Sequence, residues 1–120
     1  MISEEIRGEL LAVGLDIRAM TEKFMDSEDM FRRYYIKFFE AAGEVMERLS
    51  KAVSAGDLTQ VERNAHSLKG LAGNIGLGGV FDPAAKIVED IRASRTEDYR
   101  RDFDDCRSAY DAALDISRRI

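Results

Sequence analysis

His66 is the only histidine in this chain of 120 residues. It lies in Asp57–Gly76, DLTQVERNAHSLKGLAGNIG. Within that stretch Leu58, Val61, Ala65, Leu68, Ala72 and Ile75 recur at spacings of three and four, the stripe of an amphipathic helix with one buried face. At about 100° per residue, His66 projects roughly 130° from the centre of the stripe. Lys69 and Gly70 follow at three and four positions, one turn along the same surface. The pattern therefore sets an imidazole on the wet side of a core helix, beside an ammonium group and a missing side chain. Neutral imidazole is nucleophilic at physiological pH, and a neighbouring cation offsets negative charge that builds on a group it receives. A surface histidine near a lysine is commonplace; two glycines in mid-helix are not. Each costs about 1 kcal/mol relative to alanine, and both Gly70 and Gly73 fall on or near the histidine side. Their value is that another backbone or a partner protein can come close. The combination describes a nucleophile used in trans.

The run Ala65-His66-Ser67-Leu68-Lys69-Gly70, followed by Ala72, Asn74, Ile75 and Gly76, resembles the signature of histidine-containing phosphotransfer (HPt) domains. Ala55-Gly56-Asp57 ahead of the motif helix is similar to the family as well, as is Gly14-Leu15-Asp16 ahead of an aromatic-rich helix. The likeness runs from about Gly14 to the C-terminus.

Composition narrows the alternatives. The hydrophobic fraction is 45% and the charged fraction 34%, as in ordinary globular domains, and the length fits a single domain, 1–120. The formal charge of -5 argues against nucleic acid, whose phosphates call for clustered Lys and Arg. No apolar run nears the length of about 20 residues that spans a bilayer. The N-terminus, MISEEIRGELLAVG, reads as neither a secretory signal nor a transit peptide. Cys106 is alone, which excludes an internal disulfide and fits a cytoplasmic protein. It falls on the apolar stripe of the last helix, so a packed thiol is expected.

One proline and long periodic segments predict an all-α chain. Four substantial helices are expected at about 27–55, 57–76, 83–94 and 96–118, forming an antiparallel four-helix bundle. One or two short helices should precede them, with residues 1–15 as an extension packed on the bundle. Ser3, Asp16 and Ser27 are the N-cap candidates of the first three segments. Phe31, Tyr34 or Tyr35, Phe38, Ala42, Val45, Leu49 and Val53 make the bulkiest stripe. Gly56 ends that helix, and Asp57 with Gln60 has the capping-box pattern. The glycines of GLGG (76–79) are read as ending the histidine helix and turning the chain. A phosphate loop is rejected there, because no strand precedes it and the Lys-Ser/Thr ending is absent. Asp82-Pro83 then supplies an N-cap and first residue for the next helix.

The resemblance implies phosphoryl relay, in which His66 accepts a phosphoryl group on Nε2 from a receiver-domain aspartate, or from a kinase, and passes it to another receiver. Lys69 would stabilise the phosphoryl charge, and Gly70 and Gly73 would form the docking floor. The partners implied are response-regulator receiver domains and a hybrid histidine kinase. The Mg²⁺ that transfer requires would sit on the receiver, with no cofactor or metal on this chain. In related domains a Gln or Glu on the neighbouring helix holds the other imidazole nitrogen. Aligned without gaps, this chain has Val88 there with Glu89 beside it, which makes Glu89 the candidate for that role. With no nucleotide loop or kinase motif, the chain should not phosphorylate itself from ATP. A monomer is expected, and the starting methionine favours a free-standing protein. The competing reading is a helical docking module that regulates a receiver or kinase without carrying phosphate. A general-base enzyme lacks a Ser, Cys or carboxylate partner at motif spacing.

Overall fold

The computed structural model describes residues 2–120. Among them are six helices: α1 (Glu4–Ala12), α2 (Ile17–Lys23), α3 (Glu28–Ala55), α4 (Leu58–Ile75), α5 (Gly78–Arg92) and α6 (Tyr99–Ser117). No strand occurs among the described residues. Helices α3 to α6 form the expected antiparallel bundle, each packed on the next and α6 closing back on α3. The starts follow local chemistry. Ser3, Asp16, Ser27 and Asp57 each accept a backbone N–H of the first turn on a side-chain oxygen, satisfying donors that have no partner within the helix. Gly56 and Gly76 end α3 and α4 with φ of 67° and 70°, the left-handed conformation that glycine adopts without a Cβ clash.

Helix α3 has 28 residues against 18 in α4, so its first half runs past the end of α4 by about ten residues, or roughly 15 Å. That half carries Phe31, Tyr35 and Phe38, all buried, and it needs a cover. Leu10, Leu15 and Ile17 of the N-terminal segment join the same core. Polar ties fasten the cover: Arg7 pairs with Glu28, and Arg119 donates to Glu9. At the other end of the segment, Lys23 Nζ donates to the Asn74 carbonyl at 3.2 Å.

Two starts differ from the sequence expectation. Helix α5 begins at Gly78, not at residue 83, and Asp82-Pro83 is inside it. The reason is tertiary. The N–H groups of Gly78 and Gly79 donate to the carbonyls of Gly14 (3.2 Å) and Val13 (2.9 Å), so the end of the α1 segment caps the first turn of α5. A Cβ on Gly79 would stand 2.5 Å from the Val13 oxygen; the two backbones meet because neither Gly78 nor Gly79 has a side chain. Pro83 then removes only the hydrogen bond that residue 83 would have made to the Gly79 carbonyl. Helix α6 begins at Tyr99 rather than 96, with Asp98 as its N-cap residue but no side-chain cap bond.

The stripes are mostly as expected, with Tyr35 rather than Tyr34 inside and Met46 and Phe39 also buried. Leu58 is exposed, and Asn64 is buried on the same helix. Asn64 satisfies its amide by donating to the Gln60 carbonyl at 2.8 Å. Cys106 is buried with its Sγ directed at the Val80 carbonyl, and burial pushes the thiol up to about 12, far from a reactive thiolate. Asp102 is a buried acid that periodicity did not flag. Its Oδ1 lies 3.6 Å from Lys86 Nζ, while Oδ2 has no hydrogen-bond partner. Burial raises its pKa, with Lys86 opposing.

Candidate functional site

Helix α4 is held on one side by α3 and on the other by α5, which leaves one strip of its surface free. Its buried residues are Val61, Asn64, Ala65, Leu68, Ala72 and Ile75. His66 lies on the opposite side and is exposed. Lys69 is half-buried and Gly70 exposed, one turn further along. The structure thus brings His66, Lys69 and Gly70 onto one strip. Among the described residues, neither His66 nor Lys69 makes a side-chain hydrogen bond or ion pair. A Cβ built on Gly70 meets nothing within 4 Å. No packing within the chain accounts for this glycine.

Gly73 differs. A Cβ there would touch the Phe81 ring at 3.3 Å, so α5 already occupies the space that this glycine leaves. Gly73 and Phe81, with Gly76 and Gly78, line a shallow cavity of about 250 Å³ near the end of the same strip. Two further cavities, of about 280 and 310 Å³, lie at the α1–α3 end and between α3 and α4. His66 lines none of the three. None of these three cavities therefore offers His66 walls that could hold a small substrate.

The contacts between α4 and α5 fix their antiparallel register. Glu62 pairs with Arg92 at one end, with Arg92 Nε 2.6 Å from Glu62 Oε1, and Gly73 meets Phe81 at the other. Counting inward sets His66 at the level of Val88. Val88 is 2% exposed, and an isopropyl group offers the imidazole no hydrogen bond. Glu89 is exposed, rotated by about 100° toward solvent, and its side chain makes no hydrogen bond or ion pair among the described residues. The structure does not bring it to the ring.

Two cations near His66 escaped the motif. Arg63, three residues before it, is exposed, and the same i, i+3 rule that picked out Lys69 would have found it. Arg92 needed the α4–α5 register and had no signal in sequence spacing. Among the described residues no group of three or more His, Cys, Asp or Glu side chains is placed to hold a metal ion. No helix among them is long and apolar enough to cross a membrane.

The Hpt domain family model matches residues 33–116, a span that takes in α4 and α5 whole with most of α3 and α6. Hpt domains carry out histidine phosphotransfer in phosphorelays and interact there with receiver domains and kinases. Neither the curated proteins nor the solved structures compared with the chain include a match.

Proposed function

We propose, on the premise that this chain belongs to the Hpt domain family, that His66 is the residue that carries the phosphoryl group. The observation behind this reading is that the chain's one histidine falls inside the matched segment, is exposed, and has no side-chain hydrogen bond or ion pair among the described residues. A lone pair of the imidazole forms an N–P bond while the P–O bond to a receiver's aspartate breaks and the carboxylate is restored. Attack by a second receiver's aspartate on the same phosphorus runs the step in reverse and empties the histidine. Lys69, three residues on and without a carboxylate partner among the described residues, faces the phosphoryl oxygens as charge moves onto them. Gly70 gives the receiver's loops room to bring the aspartate into line. The receiver supplies the Mg²⁺. Residues 1–120 act as one cytoplasmic phosphotransfer domain, in which the described part of the extension, residues 2–15, caps α5 and covers α3.

The test is incubation with a panel of phosphorylated receiver domains, followed by detection of acid-labile, base-stable label on the chain. The parent should take up label and His66→Gln should take up none while still binding the receiver. Equal labelling of the two proteins would remove His66 from the relay. Binding without labelling in the parent would favour a docking module.

A further inference from the structure

The pair Glu62–Arg92 lies one helical turn from His66, and the phosphotransfer reading gives it no task. Glu62 precedes His66 by four residues, so their Cβ atoms are about 5–6 Å apart on the same face. Side chains on a helix lean toward its N-terminus. His66 therefore leans toward the level of Glu62. On the antiparallel α5, Arg92 leans toward the level of Val88, which is the level of His66. The two side chains lean toward each other's level, while Glu62, which leans toward the start of α4 and away from His66, holds the guanidinium with Arg92 Nε 2.6 Å from its Oε1.

That hold is weak. The Arg92 side chain is 59% exposed and that of Glu62 32%, and exposed ion pairs contribute little in water. A phosphoryl group on His66 would be a stronger partner than one carboxylate, since it has nearly twice the charge and three acceptor oxygens that suit a guanidinium fork. Val88 leaves the α5 side of the ring without a donor, so Arg92 is the group that α5 can offer. We propose that Glu62 holds Arg92 in reserve while His66 is empty, and that Arg92 turns to the phosphoryl oxygens once His66 carries the group. This rests on the reading of His66 as the phosphoryl carrier and adds a phosphoryl-binding residue to it. The charged groups around the phosphoryl group are then Glu62, Arg63 and Lys69 from α4 and Glu89 and Arg92 from α5.

Phosphoramidate loads the full chain without a protein partner. The imidazole lone pair forms the N–P bond, the P–N bond of the reagent breaks, ammonia leaves, and the imidazolium N–H passes its proton to solvent. Titrating the ³¹P resonance of the phosphohistidine then reads the last ionisation of the phosphoryl group, which a bound guanidinium lowers. Arg92→Ala should raise that ionisation by about half a pH unit, roughly a threefold change in its constant and the size expected of one exposed ion pair. Glu62→Gln should lower it by a similar amount, and Arg92→Lys should lie between Arg92→Ala and the parent. In the unmodified sequence, the Arg92 Nε–H resonance should move on phosphorylation, and in His66→Gln treated alike it should not. A parent that forms phosphohistidine while Arg92→Ala titrates identically, or while Arg92 Nε–H stays in place, overturns the role of Arg92 alone. A parent that forms no phosphohistidine overturns the carrier reading beneath it.

Discussion

Gly70 gives the sharpest separation of folding from function. It is in the interior of α4, and a Cβ at that position has no heavy atom within 4 Å. Exchange for alanine therefore adds no clash and removes backbone freedom from the unfolded chain, a gain of about 0.5–1 kcal/mol. At about 2.1 cal/mol/K per residue, unfolding this chain carries an entropy of about 250 cal/mol/K, so the gain corresponds to about 2–4 °C in Tm. Glutamine has nearly the helix propensity of alanine, and its longer side chain extends into the same open space. Both variants should melt at or above the parent temperature by circular dichroism. Their activities should part. A receiver's aspartate has to reach the His66 ring across position 70, and displacing reacting groups by about 1 Å costs on the order of 100-fold in rate. Transfer from a phosphorylated receiver should fall by about that much in Gly70→Gln and little in Gly70→Ala. Phosphoramidate, which needs no docking, should label both at the parent rate. A stable Gly70→Gln that accepts from the receiver as fast as the parent would refute the reasoning, and a lower Tm for Gly70→Ala would refute its structural half.

The same change at Gly79 should have the opposite sign, because the new Cβ would stand 2.5 Å from the Val13 oxygen. Gly79→Ala should lose about 1–3 kcal/mol, as overpacked sites do, and urea denaturation measures it. Lys69→Ala should slow transfer roughly tenfold, about 1.4 kcal/mol in the barrier, and leave the Tm nearly unchanged since Lys69 holds no partner among the described residues; stopped-flow transfer from a receiver reads the rate. Asp102→Asn tests the buried acid. Burial raises its folded pKa, so the folded state binds more protons than the unfolded state between the ordinary carboxylate range and the raised value, and parental stability falls as pH rises through that window. The asparagine variant should match or exceed the parent at neutral pH and lose that advantage in mild acid, as denaturation at the two pH values would report.

How far the sequence could be read depends on whether a feature is local. The bounds of helix α4 were legible because their signals are local: Asp57 caps it, Gly76 stops it, and the apolar stripe from Val61 to Ile75 marks its buried face. Ser27 and Gly56 bounded α3 for the same reason. Helix α5 was misjudged because its cap is not local. Asp82-Pro83 is a good start signal by sequence rules, but the N–H groups of Gly78 and Gly79 find their acceptors on Val13 and Gly14, more than sixty residues away in the chain. Asn64 and Asp102 were missed because a polar residue on a buried face breaks periodicity, and what permits it is a partner: the Gln60 carbonyl for one and Lys86 for the other.

That distant cap also decides which residues meet His66. Residues 78–82 rise about 7.5 Å as helix and would cover up to about 17 Å if extended. Had α5 begun at residue 83, the difference of nearly two helical turns would have set a different level of α5 beside the histidine. With the helix started at Gly78, Phe81 meets Gly73 and Arg92 meets Glu62, and Val88 comes level with His66. The motif around His66 could therefore be read from spacing along one helix, but its surroundings on α5 could not. They follow from two glycines that let the end of the α1 segment approach the first turn of α5. Loosening that contact should act on the histidine through register rather than through its own chemistry. In Gly79→Ala, receiver-independent labelling by phosphoramidate should persist in the folded fraction even where the Glu62–Arg92 pair is lost.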